Sequence, residues 1–286
     1  MNFCITTDSG ADLPLSYCQT HDITVLPLAF TIEGQTYHGS GAMDDKVFYD
    51  KLRAGALPTT SAANPEDTAA LFRTFAGQGK DLLHVAFSSG LSSTSDAAQI
   101  AAQMVMEEYP QRKIIVVDSL CASMGQGFLV HQAVKLRDAG ETLEDTARKV
   151  TDLRLNVVHN FTVDDLGHLH RGGRVSKATA VVGSLMGIKP ILHVDDEGHL
   201  TSVGKVRGRK ASIQALADRM EEQMKGFDNP EVFISHGDCR EDADYLAGLL
   251  KEQYGVKEVY INYVGAVIGS HSGPGTLALF FMGEHR

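Results

Sequence analysis

Short apolar runs alternate with longer helical patterns through the first half of the chain, and this alternation constrains the fold most. The apolar runs predict strands at residues 3–6, 24–30, 82–87 and 113–117. Between these strands, apolar residues recur every three or four positions, which predicts helices at 66–75, 92–108 and 122–138. Strands separated by helices in this way form a mostly parallel sheet with helices on both faces.

The pattern changes near residue 155. Further strands and helices follow, including a helix at about 177–186, but two of the later strands flank Asp195-Asp196-Glu197-Gly198, a turn sequence typical of a hairpin. The length of 286 residues agrees with one large or two modest domains. We therefore expect an N-terminal α/β domain at 1–155, with a small hairpin inserted at about 31–45, and a C-terminal α/β domain with hairpins at 156–286.

Composition argues against several classes of protein. The formal net charge of −10 is unlike that of general nucleic-acid-binding proteins, which carry a basic excess. The cysteines at 4, 18, 121 and 239 show no CxxC spacing, so reduced thiols are expected rather than a disulfide framework or a zinc site. No signal peptide is recognisable at the start, and no apolar run approaches the ~18 residues of a membrane span. We expect a cytoplasmic protein.

Small hydroxyl residues and one histidine lie where strands are expected to end. They form three segments: Pro58-Thr59-Thr60-Ser61, residues 88–93 and the glycine-rich stretch around His271. Ser92 is a natural N-cap for the helix expected to begin there, but a helix start also offers free amide groups to an anion. Because ligands of open α/β sheets bind beyond the carboxyl ends of the strands, the set predicts a site for a carboxylate or phosphate. Capping and turn roles remain an alternative for each residue alone.

A basic segment at 171–210 stands out in an otherwise acidic chain. It holds eight lysines and arginines but three acidic residues. The segment is either a solvated face or a surface for a phosphate-bearing ligand or an acidic protein. Nearby, His168 and His170 resemble a metal-binding pair, but a third ligand with suitable spacing is missing from the sequence, so no metal is expected.

Motifs for catalysis are weak. The sequence contains neither the Gly-x-Ser-x-Gly elbow of α/β-hydrolases nor a phosphate-binding loop, and Gly125-Gln126-Gly127 lacks the third glycine of a dinucleotide site. One alternative is a hydrolase or acyltransferase that uses Ser92 or Ser89 with His271. A further alternative is a kinase-like or sugar-phosphate-binding subunit that uses the basic segment.

The chain resembles the DegV family of bacterial fatty-acid-binding proteins along essentially its whole length. Seven motifs match in order: Thr7-Asp8-Ser9-Gly10-Ala11-Asp12-Leu13, Pro58-Thr59-Thr60-Ser61, Ser88-Ser89-Gly90-Leu91-Ser92, Asp118-Ser119 with Ser123-x-Gly125-x-Gly127, Arg171-Gly172-Gly173-Arg174-Val175-Ser176, Gly187-Ile188-Lys189-Pro190-Ile191-Leu192 and His271-Ser272-Gly273-Pro274-Gly275. Two positions depart from the family: Ser93, where glycine is common, and Ala62, where glutamine is common. Neither change removes a hydroxyl or the histidine, but both leave the preferred acyl-chain length open.

The resemblance implies a two-domain protein that encloses one long-chain fatty acid, such as palmitate, in an apolar tunnel between its halves. Thr60 and Ser92 would hydrogen-bond the carboxylate, with Ser61, Ser93 and His271 close by. An apolar lining would come from residues such as Leu28, Phe30, Phe87, Val181, Leu185 and Met186.

The resemblance also implies a partner. A fatty acid kinase would convert the bound carboxylate to an acyl phosphate, and Arg174 and Arg207 would face that kinase. The protein itself would be a carrier without catalytic activity or cofactor, and it would contact the membrane surface transiently to exchange lipid.

Overall fold

The computed structural model describes residues 3–176 and 187–286, which contain one parallel sheet, one larger mixed sheet and one small antiparallel sheet. The parallel sheet has four strands in the spatial order β2 (Ile23–Leu26), β1 (Phe3–Asp8), β6 (Asp81–Ala86) and β7 (Ile114–Asp118). Neighbouring strands are parallel throughout this sheet. The predicted mixed α/β architecture with a parallel sheet is therefore confirmed.

Helices cover both faces of the parallel sheet because successive strand residues point to opposite sides. Leu82 packs with α3 (Pro65–Ala76) and α4 (Thr94–Glu108), whereas its neighbour Leu83 packs with α5 (Met124–Asp138) and α6 (Leu143–Leu153). The small helix α1 (Leu15–Thr20) lies at the edge of the second of these faces.

The mixed sheet follows the parallel sheet in the chain. Its strands, in spatial order, are β10 (Leu200–Arg207), β9 (Ile188–Val194), β8 (Val157–Thr162), β13 (Leu277–Met282), β11 (Glu231–His236) and β12 (Glu258–Tyr263). Adjacent strands are antiparallel except for β11 and β12. One face packs against α8 (Arg209–Gln223) and α9 (Arg240–Tyr254), and the other contributes to the core that contains α5. The predicted hairpin around residues 195–198 is confirmed as the β9–β10 connection.

The third sheet corrects one expectation. It consists of β4 (Gln35–His38), β3 (Ala29–Ile32) and β5 (Thr59–Ser61), and it packs with α2 (Asp45–Arg53) and α10 (Ala266–Ser272). The single strand predicted at 24–30 is two strands in different sheets, because Pro27 has no N–H for a sheet ladder. Residues 59–61, for which the sequence left a turn as one alternative, form β5.

Two expectations about the chain are not tested by the structure. The helix predicted at about 177–186, with Val181, Leu185 and Met186, lies outside the described residues, and the domain boundary near residue 155 stays a prediction. A short helix, α7 (Gly167–Arg171), follows β8.

All four cysteines are free. In the part of the chain that the structure describes, no helix is long and apolar enough to cross a membrane, and no three His, Cys, Asp or Glu side chains are grouped to hold a metal ion.

Polar contacts hold the parallel and mixed sheets in place around the site. The Ser88 hydroxyl donates to the Gly198 carbonyl at 3.0 Å, and the hydroxyls of Ser123 and Ser235 are 2.9 Å apart. Gly90 contacts the same β9–β10 turn, where an added methyl group would lie 2.6 Å from the Glu197 carbonyl oxygen. The loops that follow β6 and β7 are therefore in direct contact with the mixed sheet.

Candidate functional site

A cavity lies where the three sheets meet. It encloses about 1000 Å³ of empty space, part of which is open to solvent. Its wall includes all five side chains expected to surround a carboxylate: Thr60, Ser61, Ser92, Ser93 and His271. Residues from three distant stretches of the chain thus share one surface.

Thr60 and His271 form a direct hydrogen-bonded pair at this cavity. Strand β5 places Thr60 opposite Phe30 of β3, and helix α10 carries His271. The Thr60 hydroxyl oxygen lies 2.8 Å from Nε2 of the His271 ring. The two residues are 211 positions apart in the sequence, so only the packing of α10 against the small sheet brings them together.

The His271 ring is neutral at pH 7. Its burial, and secondarily the positive charge of Arg174, lowers the pKa of His271 to about 4. Gly172 packs so closely against the ring that an added methyl group would overlap it. Within the described ranges, Nδ1 of His271 has no hydrogen-bond partner, which leaves one polar atom of the ring unsatisfied.

Ser92 lies in the turn before α4 rather than in the helix. The helix begins at Thr94, two residues later than predicted, because Ser92 accepts a hydrogen bond from the Thr94 amide at 3.2 Å and holds the chain in a turn. The hydroxyls of Ser92 and Thr94 are also 2.9 Å apart, and the Thr94 hydroxyl accepts from the amide of Ala63 at 3.2 Å. These bonds connect the Ser92 turn with the segment that follows β5. Ser93, the residue before the helix, makes no side-chain capping bond.

The two arginines expected to face a partner lie in different environments. Arg174 is half-buried in the cavity wall, where Nε and Nη2 donate to the Leu91 carbonyl at 3.2 and 3.0 Å and Nη1 donates to the Gly172 carbonyl. Burial lowers the pKa of Arg174, but the guanidinium remains charged. Arg207 is exposed at the end of β10.

The floor of the cavity is the mixed sheet. Phe161 on β8 lies opposite Ala278 on β13, and His159 lies opposite Phe280. Alternate residues of a strand share a face and are about 6.7 Å apart. The Phe161–Ala278 and His159–Phe280 pairs therefore follow one another along the cavity, and Thr276, just before β13, lines its near end. The floor is apolar apart from His159 and Ser235.

His159 contributes a neutral ring to this floor. Its Nδ1–H donates to the Val157 carbonyl at 2.9 Å, and Nε2 accepts from the Ala122 amide at 3.3 Å. Burial lowers the pKa of His159 well below its usual value. The ring is therefore satisfied as a neutral group and adds no charge to the cavity.

The expected apolar lining is found in part. Leu28 and Phe87 line the cavity, whereas Phe30 packs in the small core, with its ring 5.6 Å from that of Phe48. The other residues named for the lining lie outside the described residues. Further apolar side chains at the cavity are Leu91, Leu169, Val194, Leu200, Val264 and Val267.

Sequence reasoning did not single out several side chains of the wall. Ser272 and Thr276 follow His271, and the buried Ser272 hydroxyl has no partner among the described residues. The sequence feature that could have identified them is their closeness to His271 in the glycine-rich stretch. His159 and Ser235 carry no signal, because polar residues within a strand pattern indicate neither their face nor their neighbours.

The arrangement of serines and histidine differs from that of a serine hydrolase. His271 bonds Thr60, while Ser92 bonds Thr94. Ser89 is exposed, and its amide donates to Asp118 at 3.1 Å. Within residues 3–176 and 187–286, no serine is hydrogen-bonded to His271, and no third group orients the ring as in a catalytic triad.

Comparison with known proteins gives a consistent result along the whole chain. The family model for uncharacterised proteins of the DegV family matches residues 2–284. A DegV domain-containing protein of Clostridium perfringens is 41% identical over 286 residues, covering 99% of this chain and 98% of that protein. The Bacillus subtilis protein DegV is 32% identical over 283 residues, covering 98% of each chain.

Solved structures agree. A Thermus thermophilus DegV family protein, described by its fatty acid binding, superposes with a TM-score of 0.89 at 31% identity and covers 99% of this chain and 100% of its own. Bacillus subtilis DegV, described as a fatty acid binding protein, gives a TM-score of 0.86 at 32% identity, with 99% and 100% covered. With a family model across the chain and relatives at this identity, the chain belongs to the DegV family.

Proposed function

We propose that this protein binds one long-chain fatty acid in the cavity, with the carboxylate at Thr60, Ser92 and His271 and the acyl chain along the apolar floor. The observation that carries the proposal is the position of the hydrogen-bonded Thr60–His271 pair on the wall of a cavity with an apolar floor. The fatty acid binding described for the related Thermus thermophilus and Bacillus subtilis proteins supports the same ligand class.

The burial of the acyl chain supplies the driving force. A C16 acid removes about fifteen methylene groups from water, which is on the order of 12 kcal/mol at ~0.8 kcal/mol each. The loss of translational and rotational freedom offsets a large part of this gain. Burial of the acyl chain in the apolar cavity therefore drives binding without a strong ion pair at the carboxylate.

The carboxylate is stabilised by hydrogen bonds rather than by a dedicated cation. A buried carboxylate is costly unless its oxygens accept hydrogen bonds, and each bond to a charged acceptor contributes about 1.5–3 kcal/mol. Thr60 and Ser92 supply hydroxyls, Ser61 and Ser93 lie beside them, and Ser272 adds a buried hydroxyl that has no partner in the described part of the chain.

The bound acid is a substrate for a partner kinase. A carboxylate oxygen attacks the terminal phosphorus of the nucleotide that the kinase holds, a new P–O bond forms, and the phosphoanhydride bond breaks with its electron pair leaving on the nucleoside diphosphate. The carboxylate is already ionised, so this chain needs no general base. Its contribution is to hold the acid and leave one oxygen accessible.

The remaining expectations complete this function. The exposed Arg207 and the half-buried Arg174 contribute to the surface that the kinase contacts. The protein is a non-catalytic carrier without a cofactor, and it exchanges lipid by transient contact with a membrane surface.

Lipid extraction from the purified protein tests the proposal. We expect one fatty acid per chain by mass spectrometry, and palmitate or oleate should rebind to the delipidated protein. Thr60→Val removes the hydroxyl at nearly constant volume and should weaken binding about 10-fold, whereas Thr60→Ser should bind within about 2-fold of the wild type. A protein that contains no lipid and binds neither acid would refute the proposal.

A further inference from the structure

A second, polar pocket lies on the other side of the Thr60–His271 pair. Its wall includes Thr60, His168, Arg171, Arg174 and His271. Thr60, Arg174 and His271 line both this pocket, which we call the vestibule, and the apolar cavity. The two spaces are therefore contiguous at the position assigned to the carboxylate.

The vestibule carries positive charge and no acidic lining. Arg171 and Arg174 line it, and none of the described residues in its wall is Asp or Glu. Arg174 uses three of its nitrogens for the carbonyls of Leu91 and Gly172. In contrast, Arg171 is exposed and forms no hydrogen bond or ion pair within the described part of the chain. The Asp165 carboxylate lies near the Arg171 guanidinium but forms no ion pair with it, so the guanidinium can bind an anion in the fork geometry that suits phosphate.

His168 is held at the same pocket by packing. It precedes Arg171 by one helical turn on α7, so the two side chains lie on the same side of the helix. Gly273 packs so closely against the His168 ring that an added methyl group would lie 2.5 Å from Cδ2. The imidazole makes no hydrogen bond within residues 3–176 and 187–286, so a ring nitrogen is available to a ligand oxygen.

We propose that the vestibule is a phosphoryl site, in which Arg171 and His168 hold the phosphate of an acyl phosphate whose chain lies in the apolar cavity. This inference rests on the proposed function. With the acyl carbon at Thr60 and His271, the phosphate attached to it enters the vestibule, because those two residues separate the two spaces. Thr60, Ser92 and His271 hold the carboxylate of the fatty acid, and Arg171, a cation without an ion-pair partner in the described part of the chain, meets the added phosphate.

If the vestibule binds phosphate, the protein should distinguish the fatty acid from the acyl phosphate. Arg171 lines the vestibule but not the apolar cavity, so a phosphate in the vestibule gains charge-assisted hydrogen bonds to Arg171 that a carboxylate held from the cavity side lacks. Loss of the Arg171 side chain should therefore weaken binding of the phosphorylated ligand selectively. Arg171 is exposed, so Arg171→Ala is not expected to impair folding.

Binding of two ligands to the delipidated protein tests this assignment. Hexadecyl phosphate serves as a stable analogue of the acyl phosphate, and palmitate serves as the carboxylate. Arg171→Ala should weaken binding of hexadecyl phosphate about 10- to 100-fold while palmitate binding changes less than about 2-fold. Lys205→Ala, which removes an exposed charge from the same basic segment, is the matched control and should change neither ligand by more than about 2-fold.

The outcomes are distinct. If Arg171→Ala weakens binding of both ligands equally, or of neither, the phosphoryl site is wrong. Normal palmitate binding in that case leaves the proposed function intact. Failure of the wild type to bind palmitate refutes the proposed function instead. Inorganic phosphate is the third probe: if it binds the palmitate-loaded protein with the same dependence on Arg171, the pocket takes free phosphate and the assignment to an acyl phosphate is wrong.

Discussion

The Thr60–His271 pair joins a largely buried histidine to a partner without charge. The imidazole is neutral because burial removes the water that would stabilise its charged form. Nε2 faces the Thr60 hydroxyl, and Nδ1 has no partner among the described residues. A carboxylate placed at this pair favours the protonated ring, and the ring is the one group of the pair that can gain a proton near neutral pH.

Fatty-acid binding is therefore expected to take up a proton at His271. In the free protein the pKa of His271 is about 4, and a nearby carboxylate raises the pKa in the complex because it favours the charged ring. Between these two pKa values the complex holds more protons than the free protein, so the affinity rises as the pH falls through that interval. Calorimetry at about pH 6, in two buffers with different heats of ionisation, measures the uptake.

The control is His271→Gln, which keeps a hydrogen-bonding side chain but cannot titrate. It should bind palmitate without proton uptake. Equal uptake in the wild type and in this variant would assign the proton to another group, and no uptake in the wild type would show that the carboxylate does not lie against the ring.

At the residue scale, the sequence predicted chemical types better than contacts. The motifs around Thr60, Ser92 and His271 indicated an anion site, and the structure has all three on one cavity wall. The bond between Thr60 and His271 could not be predicted, because it joins positions 211 residues apart through the packing of α10 on the small sheet. The burial of Arg174 was equally inaccessible, since an arginine in a glycine-rich turn is usually exposed.

At the scale of elements, helix α5 shows why its glycines matter. Gly125 lies in the first turn of the helix, directly against the His159 ring of β8, and an added methyl group would overlap that ring. Gly127 approaches the Ala11 carbonyl, where an added methyl group would lie 2.8 Å from the oxygen. Small residues at these positions allow α5 to pack tightly between the two larger sheets.

Gly125→Ala should therefore destabilise the protein although alanine is the better helix former. We expect a loss of about 1–3 kcal/mol in the free energy of unfolding, the usual cost of overpacking a core. Gly248→Ala is the matched control, because Gly248 lies inside α9 with no atom within 4 Å of an added methyl group, and it should gain about 0.5–1 kcal/mol. Urea unfolding measures both, and a stabilising Gly125→Ala would contradict the packing described for His159.

The boundaries of strands and helices depend on interactions that the hydrophobic periodicity of the sequence does not indicate. The apolar pattern at 24–30 is continuous, yet the chain leaves the parallel sheet after Leu26 and enters the small sheet at Ala29. Pro27 is the local signal, and the hydrogen bond from the Leu28 amide to the Ser9 hydroxyl at 3.0 Å fixes the crossing. The helix expected from Ser92 begins at Thr94 because hydroxyl contacts stabilise the preceding turn.

At the scale of the molecule, the alternation of strands and helices predicted the parallel sheet. The order of the strands in the mixed sheet could not be predicted from the sequence. Strand β13 lies between β8 and β11, although it is the last strand in the chain. Such an order results from pairing between distant segments, and a local pattern carries no information about it. The cavity depends on this order, because Phe161 and Ala278 form its floor only when β8 and β13 are neighbours.

Arg286 links the two larger sheets around this cavity. Its buried guanidinium donates from Nη1 to the Leu120 carbonyl at 2.7 Å and to the Asp195 carbonyl at 3.0 Å, while Nη2 donates to the Arg154 carbonyl. Leu120 follows β7, and Asp195 begins the β9–β10 turn. One side chain thus satisfies carbonyl groups on both sides of the boundary that the cavity occupies.

Arg286→Ala should lower the free energy of unfolding by about 2–4 kcal/mol, because it leaves several buried carbonyl groups without donors. Arg286→Lys keeps the charge but cannot reach three separated carbonyls at once, so it should recover less than half of the loss. Urea unfolding, followed by circular dichroism and by tyrosine fluorescence, measures both variants. A variant Arg286→Ala within about 0.5 kcal/mol of the wild type would mean that the apolar core around α5 alone holds the sheets together.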